Sequence, residues 1–428
     1  MKMKIVCQVA LLGVVALLVR AQPVHADAVV DWNEITVASV TTGRPGPIGV
    51  VDIALVQIAV HDAVQAMDRR YEPYFAEVAV SKADRVKGNR SAAVAAAAHD
   101  VLVGMYPAQS ATLDATYFSY LANHGLAGDP GILVGQQVAA RVLPLRRTNP
   151  NPLPLPFVGG NTAGAWRPTN SLLGNPPSPA PFSAMAAPWM ASFDPFTLTG
   201  PTRFRAPPPP ALTSALYARD YEEVRQLGAL VSTQRTAEQT DLAYFYSDAT
   251  PTQWNRALRG IANRYVRKTG ESARLFALAS LATADALITC WDSKVHYAFW
   301  RPVTAIQEGE ADGNPATVGD PAWQSLINNP NYPDYTSGAN SVTAAMTRTL
   351  ELFFGTNKVT FDVTSLAPLA VRKTRTYHRF SDAADDVVDA RVYLGIHFRF
   401  ADEAARTQGR RVADWTYNHF LLPVGEKW

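Results

Sequence analysis

Residues 272–300 read SARLFALASLATADALITCWDSKVHYAFW, a long apolar stretch interrupted by four charged side chains. The stretch predicts a long α-helix that stops at Pro302, because proline cannot continue a helix. Cys290 lies among these apolar residues, and we interpret it as a buried structural thiol rather than a nucleophile.

The rest of the chain is also dominated by helical patterns. Apolar residues at helical spacing, together with N-cap residues and stop signals, predict helices in many segments. These are residues 50–68, 90–106, 109–123, 131–147, 214–231, 236–245, 253–267, 338–354, 380–394 and 402–420. One segment, KVTFDVT at 358–364, alternates like a β-strand. We therefore expect an all-α protein, and the lack of a repeat of roughly 20–50 residues argues against a solenoid.

A proline-rich segment separates two groups of helices. We predict an N-terminal helical bundle at 27–143, a proline-rich loop at 144–211 and a C-terminal helical region at 212–428. Residues 144–210 hold 17 of the 31 prolines. They also carry aromatic side chains, which disordered linkers generally lack, so an ordered loop packed on the surface is favoured over a disordered linker. These aromatic residues include Phe157, Trp166, Trp189, Phe193, Phe196 and Phe204.

The first 26 residues have the composition of a secretory signal peptide. Lys2 and Lys4 precede the apolar residues 5–19, and Val24-His25-Ala26 offers small residues for cleavage. A membrane anchor and a buried helix are the alternatives, but fifteen apolar residues are short for a membrane span. We expect cleavage of residues 1–26 and a secreted or periplasmic protein. Cleavage would remove one of the two cysteines, so no internal disulfide is expected.

The charge balance restricts the class of partner. The chain has 39 basic and 37 acidic residues, and loss of the signal peptide would leave 36 against 37. No bulk positive field is present, so nucleic acid is not an expected partner. After the first 25 residues no run of 18 apolar residues occurs, so we expect no stable membrane span. Small-molecule substrates are the expected partners, and the sequence leaves the oligomeric state open.

Two basic residues lie near the end of the long helix candidate. Lys294 and Arg301 are seven positions apart, which corresponds to a rotation of about 700° along a helix. Both side chains should therefore emerge from the same helix face. We expect Arg301, which precedes Pro302, to end the helix and to lean forward from it.

A short motif opens a later helix candidate. Residues 336–340 read TSGAN, with Ser337 and Gly338 at the expected helix start. The first backbone N–H groups of a helix are unpaired and attract anions. Gly338 allows an oxyanion to approach the backbone closely, and Ser337 adds a hydroxyl group.

A third segment, RVYLGIH at 391–397, combines a cation with an imidazole. Arg391 lies on a predicted helix, Gly395 permits a left-handed turn, and His397 follows that turn. Such a turn can place His397 beside Arg391. Arginine binds oxygen atoms bidentately, so the three segments together predict a site for a tetrahedral or trigonal oxyanion.

These three segments resemble the signature blocks of the vanadium-dependent haloperoxidase and type 2 phosphatidic acid phosphatase superfamily. The flanking sequence is similar to its bacterial secreted haloperoxidase-like branch, and the similarity extends over nearly the whole mature chain. The similar flanking segments are HDAV at 61–64, PPPALTSALYARDYEEV at 208–224, RTAEQT at 235–240, ADGNPATVGDPAW at 311–323, FFGT at 353–356 and FSDAADD at 380–386.

The resemblance implies roles for the residues of the three blocks. In that family the oxyanion is vanadate or phosphate, and three cations, a hydroxyl group and a backbone amide bind its oxygen atoms. The matching residues here are Lys294, Arg301, Arg391, Ser337 and Gly338. His397 matches the histidine that ligates vanadium, or that attacks phosphorus in the phosphatases. Trp291 and Tyr332 lie where some members place halide-pocket aromatics, although both are equally well explained as core residues.

The sequence departs from the family pattern at one chemically important position. The middle block normally reads Ser-Gly-His, and Ala339 replaces that histidine, which serves as the acid–base group. General acid–base help is typically worth about 10²–10⁴ in rate, so anion binding should persist while catalysis is impaired. The possible substitutes near the blocks are His296, Asp334, Asn340 and His378. Asp402, five residues after His397, is a candidate for orienting that imidazole or for capping a helix.

We therefore expect a vanadium-dependent haloperoxidase-like enzyme that oxidises a halide with peroxide, with its activity impaired by Ala339. One alternative is a secreted phosphatase that uses His397 as its nucleophile on a phosphoester. The other is a catalytically weak protein that binds phosphate or vanadate.

Overall fold

The structure, a computed structural model, describes residues 27–44, 46, 49–147, 157, 159–169 and 185–425. The predicted signal peptide at 1–26 lies outside the described residues. So do residues 148–156, 158 and 170–184 of the predicted proline-rich loop.

Helices dominate the described residues, and the chain is all-α, as the sequence predicts. The α-helices are α1 (Ala28–Gly43), α2 (Gly49–Asp68), α3 (Lys82–Lys87), α4 (Arg90–Met105), α5 (Ser110–Asn123), α6 (Pro130–Val142), α7 (Pro144–Arg147), α8 (Ala215–Leu227), α9 (Ala237–Phe245), α10 (Thr250–Tyr265), α11 (Thr269–Tyr297), α12 (Pro302–Gln307), α13 (Gly338–Phe354), α14 (Phe380–Tyr393) and α15 (Arg399–His419). An antiparallel pair, β1 (Phe361–Thr364) and β2 (Thr374–Tyr377), aligns Phe361 with Tyr377.

Helix α11 lies at the centre of the fold. Every residue from Ser272 to Lys294 is buried, and the helix packs against α2, α13 and α15. Its many alanines keep the surface of the helix narrow, so several neighbours can approach it at once. Both α2 and α11 are long and apolar enough to cross a membrane by composition, and both are buried inside the protein. Burial on all sides demands this same composition of a core helix.

The helices that carry the anion motif are held close together. Helices α13 and α15 pack side by side, and Gly409 of α15 lies against the backbone of α13. A Cβ atom at Gly409 would lie 2.3 Å from the Ser341 carbonyl oxygen, a distance that no larger residue could accept without moving a helix. This contact fixes the first turns of α13 against the middle of α15.

The described part of the proline-rich segment packs on α11. Asp285, fully buried in α11, accepts hydrogen bonds of 2.6 Å from the amides of Phe196 and Thr197 and from the Thr197 hydroxyl. Trp166 is also buried, and its amide donates to the Ala298 carbonyl at 2.6 Å. These described residues are therefore attached to the core helix and to the residue that follows it, while the ordered loop over 144–211 as a whole stays a prediction. Residues 144–147, at the start of the segment, are helical.

The structure corrects the predicted end of the long helix. Helix α11 ends at Tyr297, because Ala298 adopts the left-handed conformation with φ 46° and ψ 39°. Arg301 therefore lies beyond the helix, in an extended conformation, as the N-cap of α12. The argument that Lys294 and Arg301 share one helix face was wrong, although both residues still reach the same region.

Several smaller features also differ from the sequence prediction. The helix predicted over 214–231 ends at Leu227. Helices α1, α3 and α12 and strand β2 were not predicted. In α1, polar residues are mixed with apolar ones, and β2 reads TRTY, a short polar sequence.

We predict that Asp285→Ala lowers the free energy of unfolding by about 2–5 kcal/mol. The substitution leaves two buried amides without their acceptor, and each such loss costs about 1–3 kcal/mol. Urea denaturation followed by circular dichroism measures the change. Glu403→Ala, at an exposed position of α15, is the control and should change the value by less than about 0.5 kcal/mol. Equal effects of the two substitutions would contradict this anchoring role.

Candidate functional site

Lys294 occupies the last turn of α11 and is fully buried. Its ammonium group donates to the carbonyl oxygens of Pro333 at 2.6 Å and Asp334 at 3.0 Å. Burial, assisted by the nearby Arg301 guanidinium, lowers the pKa of Lys294 to about 7. The lysine therefore ties the loop before α13 to the core helix and places a readily deprotonated cation beside it.

Arg301 connects three segments of the site. Its Nε donates to the Tyr332 carbonyl at 2.8 Å, and its Nη1 donates to the Ile396 carbonyl at 2.6 Å. The side chain is fully buried, and its Nη2 has no hydrogen-bond partner among the described residues. Burial lowers the pKa of Arg301 from its ordinary value. One donor of a buried guanidinium thus remains available to a ligand.

Arg391, near the end of α14, has a similar incomplete set of partners. Its Nη1 donates to the Tyr246 carbonyl at 3.1 Å, and its buried Nε has no partner among the described residues. After α14 the chain turns at Gly395, which has φ 75°. A Cβ atom there would lie 2.3 Å from the Gly228 carbonyl oxygen, so both the turn and the close approach require glycine. The turn leads directly to His397.

His397 is buried between a carboxyl group and a guanidinium. Its Nδ1 lies 2.6 Å from Asp334 Oδ1, and its Nε2 lies 3.3 Å from Arg301 Nη1. Because a guanidinium can only donate, Nε2 is the acceptor nitrogen and Nδ1 carries the proton. Burial and the nearby cations Arg301, Lys294 and Arg391 hold the pKa of His397 well below its ordinary value of 6.5. The imidazole is therefore neutral, with a lone pair on Nε2.

Two buried carboxyl groups accompany these cations. Burial raises the pKa of Asp334 to about 7, although Arg301 and Lys294 oppose that shift. Burial also raises the pKa of Asp402 well above its ordinary value. Both carboxyl groups therefore carry less negative charge than exposed ones would, so they compensate the three cations incompletely.

The start of α13 supplies backbone donors. Ser337 is the N-cap of α13 and Gly338 is its first residue. The first hydrogen bond of the helix runs from the Ser341 amide to the Ser337 carbonyl, so the amides before Ser341 have no partner inside the helix. The Ser337 hydroxyl accepts a hydrogen bond from the Asn340 side-chain amide at 3.4 Å. The helix start therefore has the properties of an anion-binding position.

A cavity of about 310 Å³ opens onto part of this cluster. Three of the predicted site residues line it, namely Gly338, Arg391 and His397. Lys294, Arg301 and Ser337 do not line the cavity. Lys294 donates to Pro333, which follows the lining residue Tyr332, and Arg301 lies beside the lining residue His397. Ser337 directly precedes the lining residue Gly338. The structure thus gathers all six predicted residues at one end of the cavity.

The two aromatic residues singled out in the sequence also line the cavity. The rings of Trp291 and Tyr332 lie 5.0 Å apart. Lys294 Nζ and the Arg301 guanidinium carbon each lie 4.9 Å from the Tyr332 ring centroid. Tyr332 is therefore in contact with two of the cations, and a halide role for it remains a prediction.

Ala339 lines the cavity directly beside Gly338. Its proposed substitutes differ in position. His296 and His378 are exposed and do not line the cavity. Asn340 donates from its side chain to Asp402 at 2.8 Å. His296, His378 and Asn340 therefore place no proton-transfer group at the position where the family histidine is expected.

The carboxyl group that contacts His397 is Asp334, and Asp402 does not have the roles considered for it. Asp402 lies in the first turn of α15 without capping it, and it accepts a hydrogen bond from Asn340. The sequence favoured Asp402 as the partner of His397, because the two residues are only five positions apart. Asp334 lies 63 positions from His397, and the sequence signal for its role was its position just before the TSGAN motif.

Comparisons with known proteins agree with this architecture. Residues 274–425 match the family described as the VCPO second helical-bundle domain. A vanadium chloroperoxidase of Curvularia inaequalis is 26% identical over 300 residues, which cover 54% of this chain and 49% of that protein. The match thus spans about half the length of that relative.

Solved structures share the fold at low identity. The first bacterial vanadium-dependent iodoperoxidase structure superposes with a TM-score of 0.76 and 22% identity, covering 92% of this chain and 97% of that one. An apo-type bacterial vanadium-dependent chloroperoxidase has a TM-score of 0.72 and 18% identity, with 88% and 93% coverage. These matches show a common helical fold over nearly the full length.

We predict that His397 stays neutral at pH 6, where a histidine with the ordinary pKa of about 6.5 is mostly protonated. Desolvation and three neighbouring cations disfavour the imidazolium form. Histidine-selective NMR titration of the protein checks this, with His397→Gln used to assign the resonance. A titration midpoint near 6.5 for His397 would show that the site is open to water and less positively charged than the structure indicates.

Proposed function

Because the chain belongs to the vanadium-dependent haloperoxidase and type 2 phosphatidic acid phosphatase superfamily, we propose that it is a haloperoxidase-like enzyme that oxidises a halide with hydrogen peroxide. One observation carries this proposal: three buried cations surround a neutral imidazole, and Arg301 Nη2 and Arg391 Nε lack partners among the described residues. Unpaired buried donors are costly, and a bound oxyanion would satisfy them.

The residues present fit vanadate. Lys294, Arg301 and Arg391 would bind its oxygen atoms, and the backbone amide of Gly338 and the hydroxyl of Ser337 would add neutral donors. His397 Nε2 would be the ligand to vanadium, since it offers a lone pair toward the cations. When bound, vanadate supplies the activation of hydrogen peroxide toward a halide. Phosphate has the same charge and shape requirements and would occupy the same site.

The surroundings of His397 prepare it for this role. Arg301 Nη1 lies 3.3 Å from Nε2 and can only donate, so Nε2 carries the lone pair and the proton lies on Nδ1, which is 2.6 Å from Asp334 Oδ1. The cations keep the ring neutral, so the lone pair is available without prior loss of a proton. Because the cluster is buried, each cation attracts an anion more strongly than it would in water.

The site lacks the acid–base group that the family uses for proton transfer. Activation of peroxide requires a group that accepts its proton, and Ala339 has none. Asp334 is separated from the cavity by the imidazole that it contacts, and it does not line the cavity. We therefore propose that anion binding is retained while turnover is slow. Hydrolysis of a phosphoester through His397, or binding without turnover, are the two competing functions.

We also propose that the protein is exported after loss of residues 1–26. The basic start, the apolar core and the small residues at 24–26 support this proposal.

Arg391→Ala is expected to abolish stabilisation by vanadate. The unmutated protein should melt at a higher temperature in vanadate, because a ligand that binds only the folded state stabilises that state. Arg391 provides an unpaired donor at the cavity wall. Differential scanning calorimetry with vanadate, and with phosphate, measures the shift. Arg264→Ala, at an exposed position of α10, is the control and should keep the full shift. A full shift in Arg391→Ala would place the anion elsewhere.

Ala339→His is expected to increase vanadate-dependent bromide oxidation by about 10²-fold, because it returns an acid–base group to the cavity wall. Bromination of an indicator dye by peroxide and bromide measures the rate, with and without added vanadate. Ala218→His on α8, outside the cavity, is the matched control and should leave the rate unchanged.

Three other outcomes are informative. Equal bromide oxidation by unmutated protein and Ala339→His would show that another residue transfers the proton. Hydrolysis of p-nitrophenyl phosphate that vanadate inhibits would favour the phosphatase function. Vanadate binding without bromide oxidation in either protein would overturn the haloperoxidase proposal and favour a binding role.

A further inference from the structure

The loop that joins β1 to β2 exposes three large apolar side chains. Leu366, Leu369 and Val371 are 67%, 64% and 86% exposed, and they lie within six consecutive positions. No other six-residue stretch of the described residues holds more than two exposed large apolar side chains. Single exposed apolar residues are ordinary on a protein surface, whereas a contiguous group of them points to an interaction site.

The burial pattern of this loop is the reverse of the pattern that stability alone favours. Ala367 and Ala370 are buried, while the larger Leu366, Leu369 and Val371 face solvent. Burial of the larger side chains would remove more apolar surface from water and would stabilise the fold more. The loop therefore keeps its largest apolar side chains available for a second surface.

Hydrogen bonds to the body of the protein hold the loop in place. Asp248 accepts from the Leu366 amide at 2.9 Å. Asp241 accepts from the amides of Val371 and Arg372 at 2.6 and 3.1 Å. Both carboxyl groups come from α9 and the segment that follows it. The exposed side chains are thus ordered before any partner binds, so docking requires little further loss of conformational entropy.

The loop also carries positive charge. Residues 365–373 contain Arg372 and Lys373 and no acidic residue. Arg372 pairs with Glu238 at 3.2 Å, and both side chains are more than half exposed. Lys373 donates to the Ala367 carbonyl at 2.6 Å and forms no ion pair with any described residue. An uncompensated cation therefore lies beside the exposed apolar side chains.

The carboxyl groups that anchor the loop do not cancel this charge. Asp241 pairs with Arg375 at 2.9 Å, and Asp248 pairs with Arg256. Together with the two cations of the loop, four basic side chains face three carboxyl groups around the apolar residues. The surface at this end of the hairpin is therefore apolar with a positive rim, which is complementary to an anionic surface.

The small size of the apolar group argues against a protein partner. Each side of a stable protein interface contributes about 20–30 residues, whereas this loop offers three aliphatic side chains and Pro368. A lipid bilayer makes a smaller demand, because a few apolar side chains can enter the boundary between headgroups and acyl chains. Anionic headgroups also attract nearby lysine and arginine side chains.

We propose that the loop 365–373 docks the protein on a lipid bilayer that contains anionic phospholipid. Leu366, Leu369 and Val371 enter the boundary between headgroups and acyl chains, and Lys373 lies at the level of the phosphates. The protein rests on the bilayer surface and does not span it. Docking involves none of the residues of the oxyanion site, so it is independent of the proposed function.

Flotation with vesicles of phosphatidylcholine and phosphatidylglycerol in equal parts tests the docking. The unmutated protein should float with these vesicles, with half-maximal binding at about 1 mM lipid, which is weaker than the binding of a single myristoyl chain. Binding to vesicles of phosphatidylcholine alone should be at least about fivefold weaker, and added salt should weaken binding to the anionic vesicles.

The triple variant Leu366→Ser, Leu369→Ser, Val371→Ser should bind the anionic vesicles at least about tenfold more weakly, because it removes the apolar contribution. Val86→Ser on α3 is the matched control. Val86 is 75% exposed, and its substitution should leave binding unchanged. All proteins compared have the same N-terminus, so the apolar residues 5–19, where present, contribute equally to each.

Equal vesicle binding by the unmutated protein and the triple variant would overturn the proposal, as would the absence of binding to either kind of vesicle. Light scattering after size-exclusion chromatography identifies the competing occupant. A dimer that the triple substitution dissociates, in a protein that does not bind vesicles, would show that a second copy of the chain covers the loop. If the triple variant does not melt as a folded protein, Val371→Ser alone should weaken vesicle binding about threefold, and an unchanged affinity would overturn the proposal.

Discussion

Lys294, Arg301 and Arg391 are removed from water around a single imidazole, and the two neighbouring carboxyl groups neutralise them only in part. Burial of a charge is costly unless hydrogen bonds and opposite charges compensate it. Backbone carbonyls of Tyr332, Pro333, Asp334, Ile396 and Tyr246 satisfy several of the N–H groups. The donors that remain, Arg301 Nη2 and Arg391 Nε, are the groups that the proposed oxyanion would satisfy.

The scaffold keeps these cations in place because the segments that carry them cannot move independently. Lys294 belongs to the fully buried part of α11. Arg301 bonds to the loop before α13 and to the turn after α14. Gly409 lets α15 touch α13, and Gly395 touches Gly228, so both approaches are fixed at the backbone level. A shift of any one helix would separate the cations, which explains why so many small residues occur at these contacts.

The features that the sequence could predict depend on local pattern. The apolar run of α11 and the helix start at Gly338 are encoded within a few turns, and the left-handed turn at Gly395 follows from glycine itself. The end of α11 was not predictable in this way, because Ala298 adopts a conformation that alanine rarely takes without tertiary support.

Contacts between distant segments were also beyond local pattern. Asp334 meets His397 because Lys294 and Arg301 hold its loop, and no periodicity encodes that. The contribution of α1 and α2 to the cavity wall has the same origin. Apolar residues in α1 and α2 have the composition of core residues whether they pack in the core or line a cavity. Composition alone therefore does not distinguish core residues from cavity-lining residues.

Ala339 affects both the proton-transfer chemistry of the site and the shape of the cavity. A histidine there would supply proton transfer but would also occupy space between the oxyanion position and the apolar wall. Alanine reverses both properties: the chemical step loses its acid–base group, and the cavity gains continuity from His397 to the helices of the N-terminal half.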